Sequence, residues 1–308
     1  MNPLFEAAGL VVFERGWLSS NNVLFRGDDS SGSTLVDSGY CTHAEQTLAL
    51  VRRALGAGRP LDHLINTHLH SDHCGGNHAL RSAFGCTIAV PSGEAHKVDT
   101  WDENALTYRA TGQRCPRFAR TESICGGDEV RCGSRRWQAF AAPGHDPESL
   151  VLYEPEFQLL ISADALWENG FGVVFPELEG SAAFAEVGAT LDLIDRLPIR
   201  WVIPGHGSPF CDVRGAIDRA RRRLDTFLAD PRRHALYAAK VLVKFHLLEL
   251  QELATSELMT WLDATHYMHL AHEEHFDEVE FSVWCRRILA DMVNSGAICM
   301  TGANVRNA

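Results

Sequence analysis

In the segment Thr67-His68-Leu69-His70-Ser71-Asp72-His73-Cys74-Gly75-Gly76, three histidines and an aspartate fall within six positions, and two glycines follow closely. Imidazole and carboxylate are ligand types that divalent zinc, iron and manganese accept. On a helix His68, His70, Asp72 and His73 would spread around the axis. In a loop leaving a strand, alternate side chains converge on one point, so the spacing suits a loop site. The competing reading is a chance histidine-rich surface loop, and further ligands arriving from elsewhere decide between the two.

Four short apolar, β-rich runs each end in such a residue. Leu64-Ile65-Asn66-Thr67 runs into His68, and Trp137-Gln138-Ala139-Phe140-Ala141-Ala142 runs through Pro143-Gly144 into His145. Gln158-Leu159-Leu160-Ile161-Ser162-Ala163 runs into Asp164, and Trp201-Val202-Ile203-Pro204-Gly205 into His206. The strand-to-loop junction is where functional side chains collect. Glycines beside His145 and His206 let the backbone turn tightly toward a common centre.

The His-x-His-x-Asp-His segment, Gly144-His145, Asp164 and Gly205-His206-Gly207, in that order, resemble the metallo-β-lactamase superfamily. Val36-Asp37-Ser38-Gly39 resembles its early strand-end signature. The resemblance covers roughly residues 8 to 210. It implies a four-layer αββα sandwich of α/β class. It also implies that His68, His70 and His145 hold one metal, that Asp72, His73 and His206 hold a second, and that Asp164 bridges them. Asp72 is thereby a catalytic candidate as well as a ligand. The implied cofactor is two divalent ions, zinc first, with iron or manganese as alternatives. Two dications a few ångströms apart lower the pKa of a shared water from about 15.7 toward about 7 and polarise a carbonyl or phosphoryl oxygen. His70 stands where the flavodiiron branch has a glutamate, which favours the hydrolases; an iron-dependent sulfur dioxygenase branch also keeps the histidines. Asp37 is a candidate to orient a ligating imidazole, or is an ordinary strand-end aspartate.

At 308 residues and 45% hydrophobic, the chain can bury one large core and carry an appendage. There is neither a basic signal-peptide start nor an apolar run of membrane-spanning length. The nine cysteines are odd in number and lack any Cys-x-x-Cys pair, which leads us to expect free thiols and a reducing cytoplasm. Cys74, next to a ligand, is either a thiol acting on the site or a small buried residue. The net charge of −12 argues against a nucleic-acid partner. The cluster Arg219, Arg221, Arg222, Arg223, Arg232 and Arg233 reads as a solvated helix face.

The runs Leu10–Phe13, Val23–Phe25 and Thr34–Asp37 predict an opening antiparallel meander, followed by a helix with Thr42 and Glu45 spaced as a capping box. Gly75-Gly76 begins a second helix, Thr87–Val90 a strand, and Ser92 to Thr121 a polar excursion. Phe184, Val187, Leu191 and Ile194 mark a helix feeding the strand before His206. We place a catalytic domain at 1–210 and a mainly helical, winged-helix-like domain at 211–308. In the latter, Phe281, Trp284, Cys285, Ile288, Leu289, Met292 and Val293 form one apolar helix face, and residues 297–306 form a hairpin. Packing over the active site, or pairing as a homodimer, is the role expected of it.

The loop after Asp164 is the expected substrate wall, with Trp167, Phe171 and Phe175 contacting an apolar group; the alternative is that these aromatics pad the core. The excursion, with Trp101, Tyr108, Arg109, Arg114 and Arg117, is a candidate opposite wall or a solvated cover. No tyrosine follows Asp164 as in quorum-quenching lactonases, and there is no basic glutathione-binding tail as in glyoxalase II. The expected function is hydrolysis of a small-molecule thioester, ester or lactone. A nuclease or phosphodiesterase, the dioxygenase chemistry and a non-enzymatic sensor are the alternatives.

Overall fold

A computed structural model describes residues 2–28 and 31–308, and every count below refers to them. The first sheet contains β1 Leu10–Phe13, β2 Asn22–Phe25, β3 Thr34–Val36, β4 His63–Ile65, β5 Thr87–Pro91 and β6 Glu122–Ile124, in sequential spatial order. The expected meander holds for β1 to β3, which pair antiparallel. From β3 onward the pairs are parallel, and the helices Ala44–Leu55 and Asn77–Phe84 serve as the crossovers that parallel strands require. The second sheet runs β11-β10-β9-β8-β7, from β7 Glu129–Cys132, β8 Arg135–Ala141, β9 Leu150–Glu154, β10 Leu159–Ala163 and β11 Trp201–Pro204. Its last pair, β10 with β11, is parallel across the helix Ala183–Arg196.

Period-two alternation sorts these strands into layers. Val23, Phe25, Val36, Ile65 and Ala89 of the first sheet meet Trp137, Ala139, Leu152, Ile161 and Ile203 of the second in one apolar cluster. Phe25 packs edge-on to Trp137 with ring centroids 5.3 Å apart. The alternate residues face outward: Leu24, Leu35, Leu64 and Ile88 against Leu48, Val51 and Leu80, and Val151, Leu160 and Val202 against Phe184, Val187 and Leu191. Helix, sheet, sheet, helix is the four-layer arrangement expected. The capping box is not made: a 3-10 turn, Cys41–His43, runs directly into the helix, so Thr42 lies inside a turn and the N-cap His43 makes no side-chain cap bond.

The helix Val213–Ala229 adds Ala216, Ile217, Ala220 and Leu224 to the outer layer of the second sheet. A separate apolar cluster begins with the helix Pro231–Leu250 and gathers Leu258, Leu262, Met268, Trp284, Ile288 and Met292 from the helices after it. β12 Glu252–Ala254, β13 Ile298–Thr301 and β14 Asn304–Asn307 form a small antiparallel sheet, and the last two are the expected hairpin. Val173, Phe175 and Leu178, from the loop after Asp164, are buried in this same cluster. The tail is therefore anchored over that loop. No helix among the described residues is long and apolar enough to cross a membrane.

Candidate metal centre

His68 lies three residues beyond β4, in a loop pinned when the Asn66 amide donates to Ala89 O (3.0 Å) and the Thr67 amide to Asp37 Oδ1 (2.9 Å). His70 is still extended, with φ −61° and ψ 147°, and then Ser71–Cys74 closes one helical turn bearing Asp72 and His73. A change from extended to helical backbone inside five residues is what lets alternate side chains converge. His145 follows Gly144, whose φ of +129° only glycine adopts comfortably, and a Cβ there would lie 2.8 Å from the Val187 amide nitrogen. Before Asp164 the pairing of β10 with β11 shifts register between Ile161 and Ala163, and Ala163 takes φ +46°. Such a bulge re-aims the next side chain. Gly205, before His206, is required by proximity: a Cβ would sit 2.1 Å from Asp164 Oδ1.

These elements bring all seven expected ligands together as two groups, His68, His70 and His145, and Asp72, His73, Asp164 and His206, whose candidate ligand atoms lie within 4.8 Å of one another in each group. Asp164 stands between them. Its Oδ2 is 3.4 Å from His145 Nε2, and its Oδ1 is 3.4 Å from His73 Nε2. His206 Nε2 is 3.0 Å from Asp72 Oδ2.

The rings are oriented from behind. Buried Asp37 sits at φ +58° just past β3, and its Oδ2 accepts from His73 Nδ1 at 2.7 Å and from the Thr67 hydroxyl at 2.8 Å. His145 Nδ1 donates to the Val173 carbonyl at 2.6 Å, which leaves Nε2 turned toward His70 and Asp164. Burial pushes both His145 and His70 down to about 4, so each imidazole is neutral and able to ligate at neutral pH. Burial also holds His68 well below the ordinary range. His73 behaves oppositely: burial opposes its charge, but Asp164, Asp37 and Asp72 together outweigh burial and raise it.

The nitrogens of His68 Nε2 and His73 Nε2 are buried without a hydrogen-bond partner. Such orphans are costly, and at a polar convergence point they indicate a missing ligand. The neutral imidazoles of His68, His70 and His145, the Asp72 and Asp164 carboxylates and orphaned nitrogens aimed at one place fit divalent metal ions.

The cluster forms one end of a cavity of about 150 Å³. Trp167 borders it and its indole N–H donates to Asp164 Oδ1 at 3.1 Å. Phe175 also borders it, with its ring stacked on Tyr267 at 4.6 Å. Phe171 does not border it: the ring is buried and packed edge-on to Phe227 at 6.3 Å in the outer core of the second sheet, the alternative place expected for these aromatics, with Val174 of the same loop in that layer. The excursion contributes Thr111 and Gln113 to the wall. Its arginines do not line it, since Arg109 pairs with Glu103 and Arg114 with Glu249 at the surface. Tyr108 points inward, donating to Leu69 O at 3.0 Å. Cys74 turns away from the ligands into the same core, against Tyr108 and Cys115.

Sequence reasoning missed two parts of the wall. Trp17, 56% exposed, stacks on His206 at 5.4 Å with planes 9° apart and meets Trp167 edge-on at 5.3 Å. Tyr237, Val241, Phe245 and Leu248 line the cavity from the helix Pro231–Leu250. A signal for the latter existed: this helix carries apolar residues over more than one face, beyond what burial of a single face requires.

The family model of the metallo-beta-lactamase superfamily matches residues 15–206, a span that holds every candidate ligand. The chain belongs to this superfamily. Among curated relatives, a hydroxyacylglutathione hydrolase of Rhodospirillum rubrum is 31% identical over 147 residues, which is 47% of this chain and 49% of that protein. The match thus spans about half of that relative's length. One from Brucella ovis is 27% identical over 243 residues, 76% of this chain and 80% of the relative. Among solved structures, a beta-lactamase domain protein from Burkholderia ambifaria superposes with TM-score 0.60 at 21% identity, covering 86% of each chain. A metallo-beta-lactamase family protein from Thermus thermophilus gives TM-score 0.57 at 18% identity, covering 98% of this chain and 99% of that one. At such identities the superpositions carry the fold alone. The donor set of this superfamily member fits divalent metal ions.

Proposed function

We propose that this superfamily member hydrolyses a thioester, ester or lactone of a small molecule at a dinuclear site, zinc being the first choice of metal. The observation that carries this reading is the pair of ligand groups, with Asp164 Oδ2 3.4 Å from His145 Nε2 of the other group, on the wall of a cavity whose remaining lining is largely apolar. In this proposal His68, His70 and His145 would hold one ion and Asp72, His73 and His206 the other, with Asp164 placed to serve both. When bound, such ions supply an activated water nucleophile and polarise the scissile carbonyl. The chain's own contribution is placement. Asp37 and the Val173 carbonyl fix the tautomers of His73 and His145, so that the free ring nitrogens face inward. Trp167 holds Asp164 through its indole N–H, and Trp17 and Trp167 shield the His206 side from water. Residues 1–210 are the catalytic unit, and the winged-helix-like tail 211–308 supplies the cavity's apolar roof.

The relatives named hydroxyacylglutathione hydrolases support a thioester. A phosphodiester is disfavoured, because the one cation on the cavity wall among the described residues, Lys244, is already bonded to Ala297 O (2.6 Å) and Asn307. The test is metal analysis coupled to a panel of thioesters, lactones and phosphodiesters, on the parent protein and on His70→Ala and Asp164→Ala. About two equivalents of metal are expected in the parent, with most metal and turnover lost in each variant. Variants with full metal content and turnover would refute the site, and turnover of phosphodiesters alone would refute the substrate class.

A further inference from the structure

We infer that the acyl part of the substrate is apolar and about the size of a benzene ring, and that Tyr237, Val241, Phe245 and Leu248 select it. This rests on the hydrolytic reading above and names the substrate class for it. The four residues recur at helical spacing on the helix Pro231–Leu250 and face the ligand cluster across the cavity. Val173 and Phe175 close the same space from the loop after Asp164.

Three polar groups on the wall outside the ligand cluster are already engaged. Thr111 Oγ1 donates to Thr107 O at 2.9 Å, Gln113 Oε1 accepts from Ser71 Oγ, and the Lys244 ammonium donates to Ala297 O and the Asn307 side chain. A charged acyl group that needed Thr111, Gln113 Oε1 or Lys244 would have to break one of these bonds, and along Val241, Phe245 and Leu248 it would stay unpaired, which is penalised for a buried polar group. An apolar group meets no such obstacle, and the wall rewards it by burial. The whole cavity, ligand cluster included, is about 150 Å³, the volume of an apolar cavity that accepts benzene, so the acyl group can be no larger than that ring. A charged leaving thiol finds no free cationic side chain on this wall, where Lys244 is already bonded, and is best left in solvent. The preferred substrate is therefore an apolar acyl group on a solvated leaving group.

The experiment uses the full chain loaded with metal and thioesters of N-acetylcysteamine running from acetyl to octanoyl, with lactoylglutathione alongside. kcat/KM is expected to rise about fourfold per added methylene and to level off near hexanoyl. Val241→Trp should flatten that slope by filling the space, and Val241→Ser should flatten it by wetting the wall; metal content and circular dichroism establish that each variant is folded. Binding of the free acids is read separately by tryptophan fluorescence, with hexanoate expected to bind more tightly than acetate by a factor following the same slope. A flat profile, or lactoylglutathione turned over faster than the hexanoyl thioester, overturns the inference. If no thioester is hydrolysed yet hexanoate still binds more tightly than acetate, the hydrolytic reading falls and the apolar pocket stands.

Discussion

Replacing Asp37 by asparagine tests whether orientation from behind the site governs metal affinity. The substitution leaves shape almost unchanged, and asparagine tolerates the φ of +58° at this position, so the backbone has no reason to move. What changes is donor and acceptor chemistry. The carboxylate accepts from His73 Nδ1 at 2.7 Å and the Thr67 hydroxyl at 2.8 Å on one oxygen, and from the Thr67 amide at 2.9 Å on the other. An amide has one oxygen. If it faces His73, its NH2 opposes the Thr67 amide; if it faces the Thr67 amide, the NH2 opposes the Nδ1 proton. In the second arrangement His73 must move its proton to Nε2, the nitrogen that points at Asp164. A hydrogen bond to a charged acceptor contributes about 1.5–3 kcal/mol. Loss of a partner behind a ligating histidine lowers metal affinity by about 10–100-fold, or roughly 1.4–2.8 kcal/mol at about 1.4 kcal/mol per decade. The two figures agree, so D37N should bind zinc about 10–100-fold more weakly while remaining folded. Competition with a chromophoric chelator measures this directly, with far-ultraviolet circular dichroism recorded on the same samples. A folded D37N whose zinc affinity stays within about twofold of the parent, well under the decade expected from such partners, would refute the reasoning.

Gly205→Ala should leave the fold in place but displace Asp164, because its Cβ would stand 2.1 Å from Oδ1; metal analysis should show at least a tenfold weaker site, roughly 1.4 kcal/mol. Phe171→Ala should lower stability by about 3–5 kcal/mol in denaturant titrations while leaving KM nearly unchanged, as befits a buried ring outside the cavity. Trp17→Ala should do the reverse, altering KM with little change in melting temperature, because an exposed ring stacked on His206 contributes more to the site than to the core. Glu94 is buried beside Asp146, and burial first, then that carboxylate, pushes it up to about 7 from an ordinary 4.5. The folded state therefore holds a proton there that the unfolded chain releases, so its contribution to stability falls as pH rises from about 4.5 to about 7 and is constant above. Comparing parent and Glu94→Gln by denaturant titration across that window should show the parent losing stability relative to the variant; parallel curves would contradict the assignment.

Several features were legible because they are local. The strand-to-loop position of each ligand follows from apolar runs ending in His68, His145, Asp164 and His206, and a β-run that stops at glycine has few ways to continue. The Phe281–Asn294 helix and the β13–β14 hairpin were readable for the same reason. The four layers followed from the resemblance alone, since β2 to β4 are apolar on both faces and only the structure sorts Val23, Phe25, Val36 and Ile65 from Leu24, Leu35 and Leu64. Thr42 and Glu45 show the limit of a spacing rule: the spacing is present, but the 3-10 turn Cys41–His43 moved the helix start past it.

The cavity wall was not legible, because it is assembled from residues far apart in sequence. Nothing local distinguishes Phe171, sealed against Phe227, from Phe175, which borders the cavity; the path of one loop decides it. Nor does any local pattern say that Trp17 stacks on His206, or that Tyr237 on a distant helix occupies ground where the residues following Asp164 offer no tyrosine. By itself the sequence determined the donor set and the strand ends that carry it, since these depend on residue type and short-range periodicity. Only the tertiary structure decided which aromatic faces the metal-type cluster and that the tail roofs it, since those depend on where a helix lands after the apolar surfaces of two sheets and a loop have been buried together.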